Sequence, residues 1–427
     1  MAQGALPGFR DFYPETLATR NYLIAVWREV ARRYGFVEYD GPPLEPLELY
    51  TRKSGEEIVG QLYTFTDKGD RQVALRPEMT PTLARMVAAK ANAMRKPIRW
   101  FSIPQLFRYE RQQKGRLREH FQLNVDIIGE ASVAADAELL AVAIDIMRAT
   151  GLSASDVRAR ISDRRLLTAV LIEVGVKKDE MAAIFAAIDK TGREPREVTR
   201  EKIEKAVSSK DAARGVQRAL ESSTDLNALA AEFRNSRSVM ESITRLREYM
   251  NFLDALGVGQ WVDFDLSIVR GLAYYTGIVF ELFDAKGEFR AICGGGRYDD
   301  LLSNIGGVDL PALGFGMGDV VLTELLRARN LLPTPTLATE YWVAADDDTM
   351  LPDVMTVAGQ LRAKSHSVEY ALKSQSLARQ LKAASTAGVE NVVLLRREDF
   401  ANGNVTVKKL ADGSEQNIAL DTFLNSV

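Results

Sequence analysis

The chain has 427 residues, 46% of them hydrophobic and 26% charged, with a formal net charge of −3. That length accommodates two or three domains with substantial cores, and the near-balanced, slightly acidic charge argues against a protein that coats nucleic acid over its whole surface. A single cysteine, Cys293, and only two histidines, His120 and His366, exclude an intrachain disulfide and a cysteine- or histidine-cluster metal site.

The opening MAQGALPGFRDFYPE has neither a basic n-region nor an apolar h-region. No apolar run approaches the roughly 20 residues of a membrane span. A cytoplasmic protein with no membrane contact is expected. After a turn-rich entry at 6–12, Leu17, Tyr22, Leu23, Val26, Trp27, Val30 and Ala31 recur at helical spacing between Glu15 and Tyr34. Gly35 is placed to end that helix. Phe36-Val37-Glu38-Tyr39 reads as a strand, stopped by Gly41-Pro42-Pro43. Residues 61–65 and 72–75 read as a hairpin around Asp67-Lys68-Gly69-Asp70. It leads into Arg76-Pro77-Glu78-Met79-Thr80, where Glu78 and Thr80 suit either a helix N-terminus or a ligand site.

The most informative stretch is FRYERQQKGRLREHFQLNVDIIGE, residues 107–130. Two strands flank a cationic loop holding Arg108, Arg111, Lys114, Arg116 and Arg118, with Gly115 at its tip. An arginine fork binds a carboxylate or phosphate bidentately and stays charged. A solvated loop is the ordinary reading of a charge run, yet it leaves Arg108, Glu110, Gln122 and Asp126 unexplained within otherwise apolar strands. An amphipathic helix follows from 132 to 150, then a strand at 157–161. From Asp163 to about Tyr249 the pattern is helical and charged, with a break at Gly192-Arg193-Glu194-Pro195.

Next comes DFDLSIVRGLAYYTGIVFE, residues 263–281. Strand-like runs at 264–268 and 278–280 bracket Arg270, which needs an anionic partner in such surroundings. A glycine strand, Cys293-Gly294-Gly295-Gly296-Arg297-Tyr298, and Leu313-Gly314-Phe315-Gly316-Met317-Gly318 lead to an apolar helix. After Leu332-Pro333-Thr334-Pro335-Thr336, strands at 341–345, 368–372, 391–395 and 405–410 alternate with helices at 351–364 and 376–386. Over 336–427 there are nine Lys and Arg against twelve Asp and Glu, so charge alone does not mark this part as an RNA binder.

Taken together, these motifs resemble those of the histidyl-tRNA synthetase family of class II aminoacyl-tRNA synthetases. Helix, strand and Pro42 resemble its motif 1, Phe107-Arg108-Tyr109-Glu110 and Gln113-Lys114-Gly115-Arg116 its motif 2, and Arg270-Gly271-Leu272-Ala273-Tyr274-Tyr275 its RGLDYY signature. Gly294-Gly295-Gly296-Arg297-Tyr298-Asp299 matches its GGGRYD, and Gly314–Leu322 resembles motif 3. Four departures stand out: Met79 for Gly, Gln112 for the loop Pro of motif 2, Ala273 for Asp, and Val321 where motif 3 has an arginine on ATP.

The resemblance implies an α/β protein. Its α+β catalytic core would be a large antiparallel sheet flanked by helices, spanning 1–162 and 256–331. A helical insertion would occupy 163–255, a linker 332–336, and a separate C-terminal anticodon-binding-like α/β domain 337–427. It implies ATP-dependent charging of tRNA(His) with histidine through a histidyl-adenylate, by a cytoplasmic homodimer joined through motif 1. Arg108 and Arg270 would be catalytic. Glu78, Thr80, Arg108, Gln122, Asp126, Arg270, Tyr274 and Tyr275 would bind histidine. Arg108, Glu110, Arg116 and Phe121, with His120 as the other candidate for adenine stacking, would bind ATP with its Mg2+. Gln113 and Arg116 would meet the tRNA acceptor. With Val321 unable to contact phosphate, Arg116 and Mg2+ would carry more of the ATP tail, with Arg297 as the next cation. The other reading is a non-catalytic paralogue such as the regulatory subunit of an ATP phosphoribosyltransferase.

Overall fold

A computed structural model describes residues 4–51, 60–110, 115, 117–191, 194–270, 274–334 and 339–427. The cationic-loop residues Arg111, Gln112, Gln113, Lys114 and Arg116, and Gly271, Leu272 and Ala273, lie outside the described residues. The chain divides into two compact units, 1–12 with 19–333, and 13–18 with 334–427.

In the first unit, strands β1 (Val37–Glu38), β2 (Leu44–Pro46), β3 (Thr64–Thr66), β4 (Gln72–Leu75), β5 (Ile98–Ser102) and β6 (Gln105–Phe107) precede the long β7 (Glu119–Ile128). Strands β8 (Val157–Asp163), β9 (Val262–Phe264), β10 (Ile278–Asp284), β11 (Cys293–Arg297) and β12 (Ala312–Gly318) complete it. The main sheet runs β1-β5-β7-β12-β11-β10-β8-β9, with β6 also on β7. Its middle is antiparallel, and its two edge pairs, β1 with β5 and β8 with β9, are parallel. A smaller sheet, β2-β4-β3, carries the expected hairpin.

The helix Val133–Ala149 explains one face of that sheet. Leu139, Leu140, Val142, Ile144, Ile146 and Met147 are all buried in a core shared with Leu123, Val125, Ile127, Phe315 and Met317. Each fully buried Leu or Ile contributes roughly 1.5–3 kcal/mol, so this layer anchors the sheet. The helix Pro14–Arg33 adds Leu23, Trp27 and Val30 to the same core.

Between β8 and β9 the chain is helical: Arg164–Glu173, Met181–Ile188, Arg196–Ala206, Lys210–Glu221, Leu226–Glu232 and Arg237–Ala255. Their starts are legible. Asp163, Ser209 and Asp225 each accept hydrogen bonds from the first turn that follows, which satisfies backbone donors a helix leaves open. Arg245 closes onto the fully buried Asp163 at 2.6 Å, so the last of these helices is pinned to the end of β8.

The second unit holds β13 (Tyr341–Ala345), β14 (Val368–Tyr370), β15 (Asn391–Leu395), β16 (Asn404–Lys409) and β17 (Glu415–Ala419), in the order β14-β13-β15-β16-β17. Tyr341, Val343 and Ala345 pack with the helix Leu351–Ala363, while Trp342 and Ala344 join Ala384 of the helix Leu377–Ala387. Both faces of β13 are covered, which is why it reads as an unbroken apolar run. The strand β17 follows the turn at Asp412-Gly413 and pairs with β16.

Candidate active site

The other face of the main sheet is polar, and it is built by period-2 alternation. On β7, Gln122, Asn124 and Asp126 share this face, while Leu123, Val125 and Ile127 enter the core. Across the register Asp126 stands opposite Gly314, Asn124 opposite Gly316 and Gln122 opposite Gly318. Gly316 in turn stands opposite Gly294, and Gly294 opposite Glu281. The centre of the face therefore has no side chains and forms a trough with polar walls. A Cβ on Gly314 would run into Asp126, one on Gly316 into the Gln122 amide, and one on Gly294 into the Arg270 guanidinium.

Arg270 occupies the loop before β10 with φ of 58°, a left-handed conformation uncommon for a residue with a Cβ. The Arg164 side chain donates to the carbonyl of Val269 at 3.0 Å and to that of Arg270 at 3.4 Å, holding the loop in place. The Arg270 guanidinium is ion-paired through Nη1 to Glu281 Oε1 and lies 5.8 Å from the centre of the Tyr275 ring. Burial works against its charge, and Tyr275 and Glu281 outweigh it, so Arg270 stays charged with its pKa raised. The expectation of a guanidinium awaiting a substrate anion is corrected here: the chain supplies Glu281. Arg270 Nε is buried and unpaired among the described residues, while the side chain as a whole keeps 20% exposure, so the fork is not fully enclosed. The strand-like run expected at 264–268 is instead β9 (Val262–Phe264) followed by a turn.

Beside it lies a second group. Glu78 is buried. Desolvation raises its pKa, opposed by the charge of Arg108 and a hydrogen bond from Tyr274. The Tyr274 hydroxyl donates to Glu78 Oε2 at 3.5 Å. Arg108 is aimed by its Nε donating to the Pro77 carbonyl at 2.8 Å. The helix Thr80–Lys90 begins at Thr80 with Met79 as N-cap and no side-chain cap bond, so Glu78 is not used as a cap. Met79, in the place of the family glycine, is fully buried.

A third group surrounds Asp126. Burial pushes its carboxyl up to about 7, and the hydrogen bond from the Tyr298 hydroxyl pulls the other way. Tyr274 packs 5.1 Å from Tyr275 and 5.8 Å from Tyr298, so the three rings wall one end of the trough. Glu281, Tyr298 and Asn124 were not singled out from sequence. A charged residue inside the apolar run Ile278–Phe283 was the signal for Glu281.

Two expected nucleotide residues fall elsewhere. Phe121 lies on the opposite face of β7 from Gln122. Its ring meets Phe12 edge-on at 6.0 Å and sits under Arg20 at 4.6 Å, and its N–H donates to Asp319 at 3.0 Å. His120, two residues before Gln122, occupies the polar face, with Nε2 3.4 Å from Gln122 Oε1. Arg297 is also on the covered face, bidentate to the buried Asp136 and 3.3 Å from Asp299, so it is not the spare cation for a phosphate tail. Glu110 lies three residues beyond the end of β6, its N–H donating to the Arg108 carbonyl at 2.8 Å. Val321 lies in the first turn of the helix Asp319–Ala328 and lines a cleft of about 420 Å³ with Gly115, Gly287, Glu288, Phe289, Arg290 and Glu324. Gln113 and Arg116 are outside the described residues.

A family model described as histidyl-tRNA synthetase matches residues 8–319, and one described as an anticodon binding domain matches 341–427. A histidine–tRNA ligase of Opitutus terrae is 42% identical over 422 residues, covering 97% of this chain and 95% of its own. The chloroplastic/mitochondrial histidine–tRNA ligase of Arabidopsis thaliana is 42% identical over 415 residues, covering 97% and 84%. Among solved structures, a histidyl-tRNA synthetase from a Nostoc species aligns with a TM-score of 0.83 over 100% of this chain and 99% of its own, at 24% identity. That likeness is one of fold.

Proposed function

The chain belongs to the histidyl-tRNA synthetase family and joins histidine to tRNA with ATP, and from that premise we propose how its residues divide the work. The observation that carries the assignment is the glycine-floored face. It gathers Arg270, Glu78, Gln122 and Asp126 around one trough in a chain whose resemblance implies those residues for histidine.

In the first step the histidine carboxylate attacks the α-phosphorus of ATP and pyrophosphate leaves. No protein nucleophile is required; the reaction needs positioning and cations where charge develops. Arg108 and Arg270 take that role, bridging carboxylate and α-phosphate. Glu281 keeps the Arg270 fork charged and aimed before substrate arrives, so little reorganisation remains at the moment of reaction. Glu78, Thr80 and Gln122 hold the ammonium. Asp126 accepts from one imidazole nitrogen and Tyr275 reads the other, with Tyr274 placing Glu78. A site built to hydrogen-bond a substrate group rejects analogues lacking it, because its buried partners are then left unpaired.

Glu110 meets the adenine amino group, and Arg116 leans on the phosphates and, with Gln113, on the tRNA acceptor. Mg2+ arrives with ATP as part of the substrate; among the described residues no group of three or more Asp, Glu, His or Cys stands ready to hold a metal. A homodimer through the segment 14–43 follows the same resemblance, and β1 lies at the sheet edge with Val37 exposed. A cytoplasmic location is part of the proposal; among the described residues no helix is long and apolar enough to cross a membrane. The regulatory-paralogue reading is set aside, since relatives named histidine–tRNA ligase match nearly the whole chain. The test is exchange of pyrophosphate into ATP with each amino acid in turn. Exchange with histidine alone is the expected result, and exchange with none overturns the reading.

A further inference from the structure

Resting on that reading, we propose that His120 is a positioning residue for the amino-acid substrate: it fixes the Gln122 amide so that its carbonyl oxygen, not its nitrogen, is presented to the ammonium. His120, Gln122 and Asn124 succeed one another along one face of β7, as period-2 alternation requires. His120 Nε2 lies 3.4 Å from Gln122 Oε1. An amide oxygen only accepts, so the imidazole donates there and carries its proton on Nε2.

At the far end, Gln122 Nε2 donates to Asn124 Oδ1 at 2.8 Å, and Asn124 Nδ2 returns a hydrogen bond to the Gln122 carbonyl at 3.1 Å. Turning the Gln122 amide over would set C=O against C=O at Asn124, whose own amide is fixed by its bond to the Gln122 carbonyl, and would force the His120 proton from Nε2 to Nδ1. The Asn124 end therefore sets the orientation, and the Nε2–H tautomer of His120 holds it. The selected oxygen has a second lone pair, and an ammonium has donors only. In the reversed orientation the amide would face that ammonium with donors.

Charge agrees with this arrangement. Burial, with Arg108 and Arg10 adding to it, pushes the His120 pKa down to about 3, so the ring is neutral at working pH. A neutral donor orients Gln122 without setting a second cation beside the ammonium and Arg108. Phe121 has no share in this task, because it faces Phe12 and Arg20 across the sheet.

The test uses the full-length enzyme in histidine-dependent pyrophosphate exchange. His120→Phe keeps a ring and removes the donor. It is expected to raise the histidine KM by about three- to tenfold, the effect of one neutral hydrogen bond, while the ATP KM moves less than about twofold. His120→Gln restores an N–H donor and is expected to recover most of the loss. If His120→Phe fails to fold, Asn124→Leu probes the other end of the amide with His120 intact and is expected to raise the histidine KM likewise. A folded His120→Phe with unchanged histidine KM overturns the proposal, as does Asn124→Leu without effect. So does an ATP KM that rises as much as the histidine KM, which places the ring on the nucleotide. If the wild-type chain shows no exchange, the reaction assignment itself has failed; an active wild type with indifferent variants refutes His120 alone.

Discussion

Two arginines on neighbouring elements of the main sheet do opposite work. Arg297, at the end of β11, points into the covered face and pairs with Asp136 and Asp299. Arg270, ahead of β10, lies over the polar face with Glu281, one guanidinium nitrogen without a partner among the described residues. Both are paired to carboxylates and both keep raised pKa values. What differs is the face. A charge enclosed by protein partners, as at Arg297 with 5% exposure, serves the fold, whereas one that stays 20% exposed over a glycine trough is open to a ligand. The same division runs along β7, where Phe121 and Gln122 are adjacent in sequence and on opposite sides of the sheet.

Breaking the covered-face pair has the largest expected effect. Arg297→Ala leaves Asp136 buried without its partner, and loss of one member of a buried pair costs roughly 3–5 kcal/mol. Denaturant unfolding is expected to show that loss. An unchanged midpoint would mean that Asp136 is neutral in the native chain. The trough is tested by Gly314→Ala, whose methyl would meet Asp126 and press on the Val125 carbonyl, with the unfolding midpoint measured alongside. A fall of about tenfold or more in kcat/KM for histidine is expected from such misplacement, with ATP binding nearly unaffected. Equal losses for both substrates would argue against Asp126 as the histidine end of the trough.

A pH dependence sharpens the same comparison. Asp126 has its folded pKa raised to about 7 by burial from an ordinary value near 3.9. The neutral form is the one the site favours, so its contribution to stability is fully present below about pH 4 and is lost as pH rises through about 7. Between those limits the wild type is expected to lose stability relative to Asp126→Asn, read as the difference between the two melting temperatures. A constant difference would show that Asp126 is ionised throughout.

Much of this was legible in the sequence. The helix near 15–34, the strands on either side of the cationic loop and the alternating elements after residue 340 all follow from apolar spacing. Alternation along β7 announces that Gln122 and Asp126 share one face; that Glu78, Arg108 and Arg270 come to the same face is a matter of tertiary packing. Phe121 falls on the other side of the sheet, against Phe12 and Arg20, as alternation from Gln122 requires; motif order alone points it at the nucleotide. Arg297 and Arg270 could not be told apart by residue type, because the choice of face depends on strand register across β10, β11 and β12. Nor does local sequence announce the left-handed Arg270, which is held by Arg164 from a segment over a hundred residues away.

The most direct measurement is kcat for histidine-dependent pyrophosphate exchange by Arg270→Lys, with its unfolding midpoint measured alongside. Lysine keeps a cation for Glu281 but loses the planar fork. Arg270 acting on the developing charge at phosphorus predicts a fall in kcat of at least about tenfold, toward the ~10²–10³ lost with a single electrostatic stabiliser, while the midpoint stays close to wild type. A folded Arg270→Lys with normal kcat would contradict the account and make Arg270, like Arg297, a residue of the fold.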